Sequence, residues 1–595
     1  MSNQTKVVSL RIYLAVCMCL ASLGCTSTGE ETGTQGGDSS VPDTQFSQCS
    51  PGDERCEDGF LVICSGNGLW IDTNEAGGCG GVQNSCAINA QQRSYIGCEY
   101  WAVDLDNAIE VYPLLPDDGT CRIPGNDDWM YVPAIMACQN GNRLAGLCSQ
   151  AGECPDGQVC VQTSACLLDA QNSSFSVVVA NPSTTMPTQV SLETPSGQQL
   201  TEMVAPGATT VLTPAAAGAP DASIDGSGVF RSAYQLTSTS PIVAYQFNPL
   251  DNEGVFSNDG SLLLPSHAVG SVYFVMSLPT IERRPYGHPY SGYVTVVAVD
   301  AGQTVVEVTP STNIRAGKNQ MAYEARRPIT FNLQQGEVLN LEASGRGDLT
   351  GTRVASVGSN QKLAVFVGHE SVLLTNREPN DGQERACCAD HVEEQLFPVS
   401  TWGDRFAVAR SAERTDALQN GRVVPDRVRI LASKSDTRVE FSPAPLIGQC
   451  GALVAGDYCD VYIENDTEIN ANNPILVGQM LLSTDGEVGD PALAFVPPVG
   501  QWREDYTFLV PSEYSSQYIS IVSTNSGAIT LNGNDVTAQL SDFGDGLRGG
   551  RIAIERVGQQ TLTCNSGCGL MVMGYDEAVS YMFAGGLDLE PIQLD

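Results

Sequence analysis

One hairpin recurs four times along this chain, and its alternation of apolar and polar residues constrains the fold to antiparallel sheet. Phe175–Ala180 (FSVVVA) and Gln189–Glu193 (QVSLE) flank a segment that opens Asn-Pro-Ser-Thr-Thr. Tyr293–Val299 and Thr304–Val308 flank Asp-Ala-Gly-Gln, Arg427–Ala432 and Thr437–Phe441 flank Ser-Lys-Ser-Asp, and Tyr518–Ser523 and Ala528–Leu531 flank Thr-Asn-Ser-Gly. Each half is rich in β-branched residues, and each centre carries turn chemistry. The period of roughly 100 to 130 residues is too long for a solenoid and suits tandem β-domains.

Two further elements recur with the hairpin, and the stretch from Pro241 to Leu278 shows both. Leu264-Pro265, Phe397-Pro398 and Val496-Pro497-Pro498 are corners that lead into Val272–Val275, Arg405–Val408 and Tyr506–Leu509. PIVAYQF from Pro241, KLAVFVGH from Lys362, PILVGQM from Pro474 and GLMVMGY from Gly569 each follow a polar turn. Few segments have helical spacing. The expected fold is all-β: tandem antiparallel β-sandwich-like repeats after a small disulfide-rich N-terminal region. The alternative closes the repeats into a propeller-like ring.

The N-terminus reads as an address. Lys6 and Arg11 precede the apolar run Ile12–Leu23, which is too short to span a bilayer. It ends in Ala21-Ser22-Leu23-Gly24-Cys25, which resembles a bacterial lipobox and implies cleavage before Cys25, lipidation of its sulfur and an outer-membrane destination. Gly, Ser, Thr and acid dominate Ser27–Gln48, a composition for a flexible tether. The expected organisation is 1–24 signal peptide, 25–48 lipidated Cys and tether, 49–172 Cys-rich region, then repeats at 173–265, 266–389, 390–490 and 491–595.

Export sets the cysteine chemistry, because disulfides persist in an oxidising compartment. Beyond Cys25 one group runs from Cys49 to Cys98 and a second from Cys121 to Cys166. Pairing within those groups stays open. The local pairs Cys450–Cys459 and Cys564–Cys568 flank turns and are the bridges to expect. The net charge of −38 disfavours nucleic acid and anionic lipid as partners, leaving the lipid anchor as the membrane contact. Asp-rich loops suit Ca²⁺, although no EF-hand loop is present and solvated charge is the simpler reading.

Taken in order, GCEYWAVDLDN from Gly97, AYQFNP from Ala244, SNDGSLLLPSHAVG from Ser257, DLTGTRV from Asp348 and CCADHVEEQLFPVSTWG from Cys387 resemble the N-terminal domain of IgG Fc-binding proteins. Many copies of that domain occur in myxobacterial lipoproteins. The resemblance covers about Gly97 to Gly586 and is interrupted between Tyr112 and Asn172 by a Cys-rich insertion. It implies a module of secreted, non-enzymatic proteins of adhesion or matrix type.

Catalytic and metal chemistry have few carriers. The histidines are His267, His288, His369 and His391. His369 and His391 are the candidate metal ligands, but no HExxH or paired CxxC spacing accompanies them, and a structural role is simpler. Cys388 with His391 lacks an orienting group and oxyanion donors. No GxSxG, P-loop or dinucleotide glycine motif occurs. Arg346-Gly347-Asp348 reads as a turn. The sequence therefore points to a cell-surface lipoprotein that binds an unidentified protein or glycan, with no catalysis expected. A structural envelope component and an envelope hydrolase are the alternatives, in that order.

Overall fold

A computed structural model describes residues 54–57, 60–64, 70–76, 86–91 and 93–592, the last with gaps at 117–118, 124–128, 149–153, 155–156, 251–254, 256, 282–288, 318–319, 359, 376–387, 417–421, 485–487, 525 and 545. Glu54–Glu57, Phe60–Cys64 and Trp70–Ala76 form one small sheet. The larger of two compact bodies holds Asp72–Asp595 and is the one described below.

The body is antiparallel β-structure throughout, and its plan repeats four times. Each unit is built on one long strand that passes from one sheet into a second. In the first unit this strand is Ala233–Phe247. Its first half pairs with Thr188–Glu193 and with Gly97–Val103, and its second half with Ser176–Ala180 and Gly260–Leu262. In the third unit Thr467–Met480 pairs first with Gly403–Val408 and Val439–Ser442, then with Asp426–Ala432 and Leu493–Phe495. Gly558–Asp576 does the same in the fourth. In the second unit the strand is split into Arg353–Ser356 and Leu363–Val372.

The crossovers have local causes. Pro241 and Pro474 stand where the first and third strands change sheet, and a proline has no N–H to give a ladder. In the fourth unit the Cys564–Cys568 disulfide, Cα atoms 6.0 Å apart, spans the crossover beside Gly567 at φ +72°. The recurring PIVAYQF-type segments are thus the second halves of these strands. They are buried because both faces are covered.

Each unit ends in a short inner strand: Gly260–Leu262, Asp390–Gln395, Leu493–Phe495 and Val579–Ala584. Successive inner strands lie side by side, and the last returns to the first. The repeats are therefore sandwich-like units whose inner strands meet in a closed cycle. Backbone hydrogen bonds from Tyr95 N to Leu587 O (3.2 Å) and from Leu589 N to Arg93 O (2.8 Å) join the two ends of the cycle. The corner prolines set the spacing within units. A Cβ on Gly97, Gly270 or Gly403 would come within 2.4, 2.5 and 2.5 Å of Cβ of Pro265, Pro398 and Pro498, so only glycine lets these turns stack. One continuous core of Val, Leu, Ile, Phe and Tyr runs through the cycle, from Tyr95 to Leu589.

The cysteine-rich segments are stapled within their own groups: Cys86–Cys98, Cys121–Cys166, Cys138–Cys154 and Cys148–Cys160. The last three hold a four-stranded sheet that is inserted between Gly97–Val103 and Ser176–Ala180 of the first unit. No helix among the described residues is long and apolar enough to cross a membrane.

Candidate functional site

In an antiparallel ladder, directly opposed residues share a face. Tyr293 lies opposite Glu342 on one side and Gly368 on the other, Thr295 lies opposite Asn340, and Gly368 lies opposite Glu393. One face of the second unit's sheet thus carries Tyr293, Thr295, Asn340, Glu342, His391 and Glu393. The sequence alternation of these strands would suit a solvated face. Instead the face is buried against the first unit, a costly arrangement unless the polar groups are paired.

Most of them are paired across the seam. Glu393 accepts hydrogen bonds from Ser261 Oγ (2.8 Å) and Gln246 Nε2 (3.2 Å), and its amide donates to Asp259 (3.2 Å). Gln395 Oε1 accepts from the Leu264 amide at 2.7 Å, and Asp390 Oδ1 from the Asn258 amide at 2.9 Å. Asp106, from the loop after Gly97–Val103, accepts from Gly226 N (2.9 Å) and Asn340 Nδ2 (3.4 Å). Burial, reinforced by neighbouring carboxylates, pushes the Asp106, Asp259, Glu370, Asp390 and Glu394 carboxyls well above their usual range. Asp390 meets Asp490 of the third unit. The two carboxyls hydrogen-bond each other, which requires a proton on one of them, and Ser580 lies beside Asp490.

The two candidate metal histidines are both fully buried, but they do not converge. His369 lies opposite Val392, so His391, one residue away, points to the other face of the sheet. Both ring nitrogens of His369 are occupied: Nδ1 accepts from Ser371 N at 3.2 Å, and Nε2 lies 3.0 Å from Pro279 O. His391 Nε2 is 3.5 Å from Glu393 Oε2. The pocket that a hydrolase built on these two imidazoles needs is not formed among the described residues. Cys388 is disulfide-bonded and offers no thiolate to His391. The sulfurs of Cys138, Cys148 and Cys154 lie close together, but each belongs to a disulfide. Cys450–Cys459 is bridged, with Cα atoms 5.5 Å apart, as is Cys564–Cys568. Cys25, His288 and Cys387 lie outside the described residues.

At the surface, a cleft of about 400 Å³ opens where the second unit meets the third. Its floor is a close approach of Gly351 to Gly456, where a Cβ on Gly351 would lie 2.2 Å from the Gly456 carbonyl oxygen. One wall is Tyr458, whose ring stacks on the Arg429 guanidinium at 4.1 Å. Arg429 is 1% exposed and pairs with Asp348 and Asp460, each at 2.8 Å. Burial alone would lower its pKa, but the two carboxylates raise it and keep it charged. Burial likewise works to raise Asp460, and Arg429 and Arg427 overcome it, holding Asp460 at about 2. Asp348 is thus committed to Arg429, and Arg346-Gly347-Asp348 is a structural turn. Arg326 stands exposed at the rim, and Leu453 lines the cleft beside an exposed apolar hairpin carrying Leu446, Ile447 and Val454. The Cys450–Cys459 disulfide ties that hairpin to the sheet.

The sequence pattern of one family, described as IgGFc binding protein, matches residues 259–574. That stretch includes the inner strands of the first three units, the Arg429 clamp and the cleft. The chain belongs to the IgGFc binding protein family. Human IgGFc-binding protein is 24% identical over 384 residues, which is 62% of this chain and 6% of the human protein. This chain therefore spans a small part of that relative's length. No solved structure matches. The IgGFc binding protein family is described by binding and not by catalysis. In this chain the corner prolines, the DLTGT turn and the buried Asp390-His391 segment all serve packing.

Proposed function

We propose that this protein is a lipid-anchored outer-membrane protein of the bacterial cell surface that binds a protein partner. The partner docks at the cleft between the second and third units. Family membership over residues 259–574 supports the binding role in this reading. The cleft's chemistry supports it: an aromatic wall, a rim carrying both Arg326 and Asp457, and an exposed apolar hairpin held by a disulfide. Exposed apolar side chains on a braced loop mark protein-interaction surfaces. The lipobox-like Ala21–Cys25 and the tether that follows supply the anchor in this reading. No residue links the chain to immunoglobulin, so the partner is identified here only as a protein. A structural envelope role is the second reading, favoured if the chain binds mainly to itself.

Proteinase K treatment of intact cells that carry a C-terminal epitope tests the placement, with lysed cells as control. Loss of the epitope in intact cells is expected, and protection there with cleavage in lysate overturns a surface role. Binding is tested by adding purified chain to cells lacking the gene. Saturable binding that is weakened by Arg326→Glu with Val454→Asp is expected. Binding that never saturates, or that the double variant leaves unchanged, refutes the cleft as the docking surface.

A further inference from the structure

The seam between the first and second units holds three carboxylates that pairing alone does not explain. Oxygens of Asp106, Glu342 and Glu370 all lie within 4.8 Å of one another. Asp106 comes from the loop after the first unit's opening strand, and Glu342 and Glu370 come from the two strands that flank Gly292–Ala298 in the second unit. Arg315 is the cation beside them, at 3.8 Å from Glu342, and its side chain is 32% exposed. One partly solvated guanidinium cannot balance three carboxylates, so without a further cation burial and mutual repulsion hold these carboxyls toward their protonated forms.

Two more oxygens point into the same space. Ser291 donates its amide to Glu370 Oε1 at 2.9 Å, and its Oγ is fully buried beside the Glu342 carboxyl. Tyr293, opposite Glu342 in the ladder, is fully buried with its hydroxyl over Gly368, within electrostatic reach of Glu393 first and of Asp106 and Glu370 next. The Ser291 hydroxyl is turned toward the Glu342 carboxyl, whereas the Tyr293 hydroxyl has no hydrogen-bond partner among the described residues. Buried hydroxyls are normally satisfied, so an orphan among these carboxyls calls for a further group beside it.

We propose that Asp106, Glu342 and Glu370, with Ser291 Oγ and Tyr293 OH alongside, bind a divalent hard cation, Ca²⁺, that ties the first unit to the second. The donor set is all oxygen, which excludes the thiolate and imidazole chemistry of a zinc site. The donors come from a loop and three strands without octahedral regularity. Ca²⁺ accepts six to eight oxygens in irregular geometry, whereas Mg²⁺ demands a near-ideal octahedron. Glu370 is only partly buried and gives the ion a way in.

The test uses the purified chain stripped with EDTA and titrated with CaCl₂ or MgCl₂ in about 150 mM salt, where diffuse binding to surface acids is screened. One Ca²⁺ site with weaker Mg²⁺ is expected, and at a hundredfold excess over Kd the folding equilibrium shifts about a hundredfold. Glu370→Gln, isosteric and partly exposed, is expected to lower Ca²⁺ affinity at least tenfold while the apo chain stays folded. Terbium gives a second readout that does not depend on stability. Tyr293→Phe retains the carboxylates and is expected to bind Tb³⁺ with reduced sensitised emission. Absence of a saturable Ca²⁺ site, or a site whose affinity Glu370→Gln leaves unchanged, overturns the proposal.

Discussion

Replacing Arg429 with Met is the most demanding test of how the second and third units are held together. The guanidinium donates to Ser277 O at 2.6 Å, Asp348 Oδ2 at 2.8 Å and Thr350 Oγ1 at 2.9 Å through Nη1. It reaches Asp460 at 2.8 and 2.9 Å through Nε and Nη2. Met fills the aliphatic space and removes every one of these donors. Breaking a buried ion pair from one side costs about 3 to 5 kcal/mol. Two features place this case at the low end, about 3 kcal/mol. Asp348 keeps donors from Thr350 and Tyr458, Asp460 keeps Arg427, and the two aspartates are 12% and 24% exposed, so water reaches them. Adding Asp348→Asn to the Arg429→Met background removes one stranded charge and should recover about 1 kcal/mol. The assay is urea unfolding followed by tryptophan fluorescence, with hydrogen exchange at Gly351 and Gly456 reporting whether the seam opens first. Raising the salt should leave the difference intact, because a pair this buried is poorly screened. A loss below about 1 kcal/mol, or exchange at the two glycines that does not change, would refute the claim that this clamp joins the units.

Asp390 and Asp490, with Asp259 and Arg414 facing them, give a signed pH dependence. Burial holds both carboxyls above their usual range, so their contribution is full below ordinary carboxylate pKa values and is lost as pH rises through the folded ones. Asp390→Asn should therefore flatten the fall of the urea midpoint as pH rises above the ordinary carboxylate range, and curves parallel to the unmodified protein would defeat the reading. Gly97→Ala places a Cβ 2.4 Å from Pro265 and should cost about 1 to 3 kcal/mol, while Gly451→Ala, with nothing within 4 Å, should be near neutral by the same melt. Removing Cys121–Cys166, which closes a 45-residue separation, should cost about 4 kcal/mol, and removing Cys564–Cys568, with a separation of 4, about 2, so equal losses would count against a loop-closure origin.

Much of the fold can be read from local pattern. The four hairpins, the PIVAYQF-type strand halves and the corner prolines are each specified within a dozen residues, where turn chemistry and alternation act. The stacking of Gly97 on Pro265 is not local, and nothing near Gly97 announces it. The seam is harder still. Tyr293-Val-Thr295 and Asn340-Leu-Glu342 alternate as a solvated strand would, and only the docking of the first unit turns their polar face inward. Asp106, Glu342 and Glu370 are ordinary acids in an acidic chain until the strand register sets them side by side. His369 and His391 suggested a shared site by proximity in sequence, and the period of two along a strand sends them to opposite faces. Cys450–Cys459 and Cys564–Cys568 were legible because each closes a turn, whereas the longer Cys121–Cys166 connection depends on a sheet that its own group of cysteines builds.

The clasp between Arg93–Tyr95 and Leu587–Leu589 has a consequence for biogenesis. During synthesis from the N-terminus, the first unit's end of the body emerges long before the residues that complete the cycle. Until Leu587–Leu589 arrive, Tyr95 N lacks its backbone acceptor, and until Val579–Ala584 arrive the first inner strand lacks its neighbour from the last unit. A chain cut short anywhere in the final unit would stay an open arc. Closure of the cycle thus depends on residues from both ends of the body, so its last backbone hydrogen bonds form only after the final unit has been made.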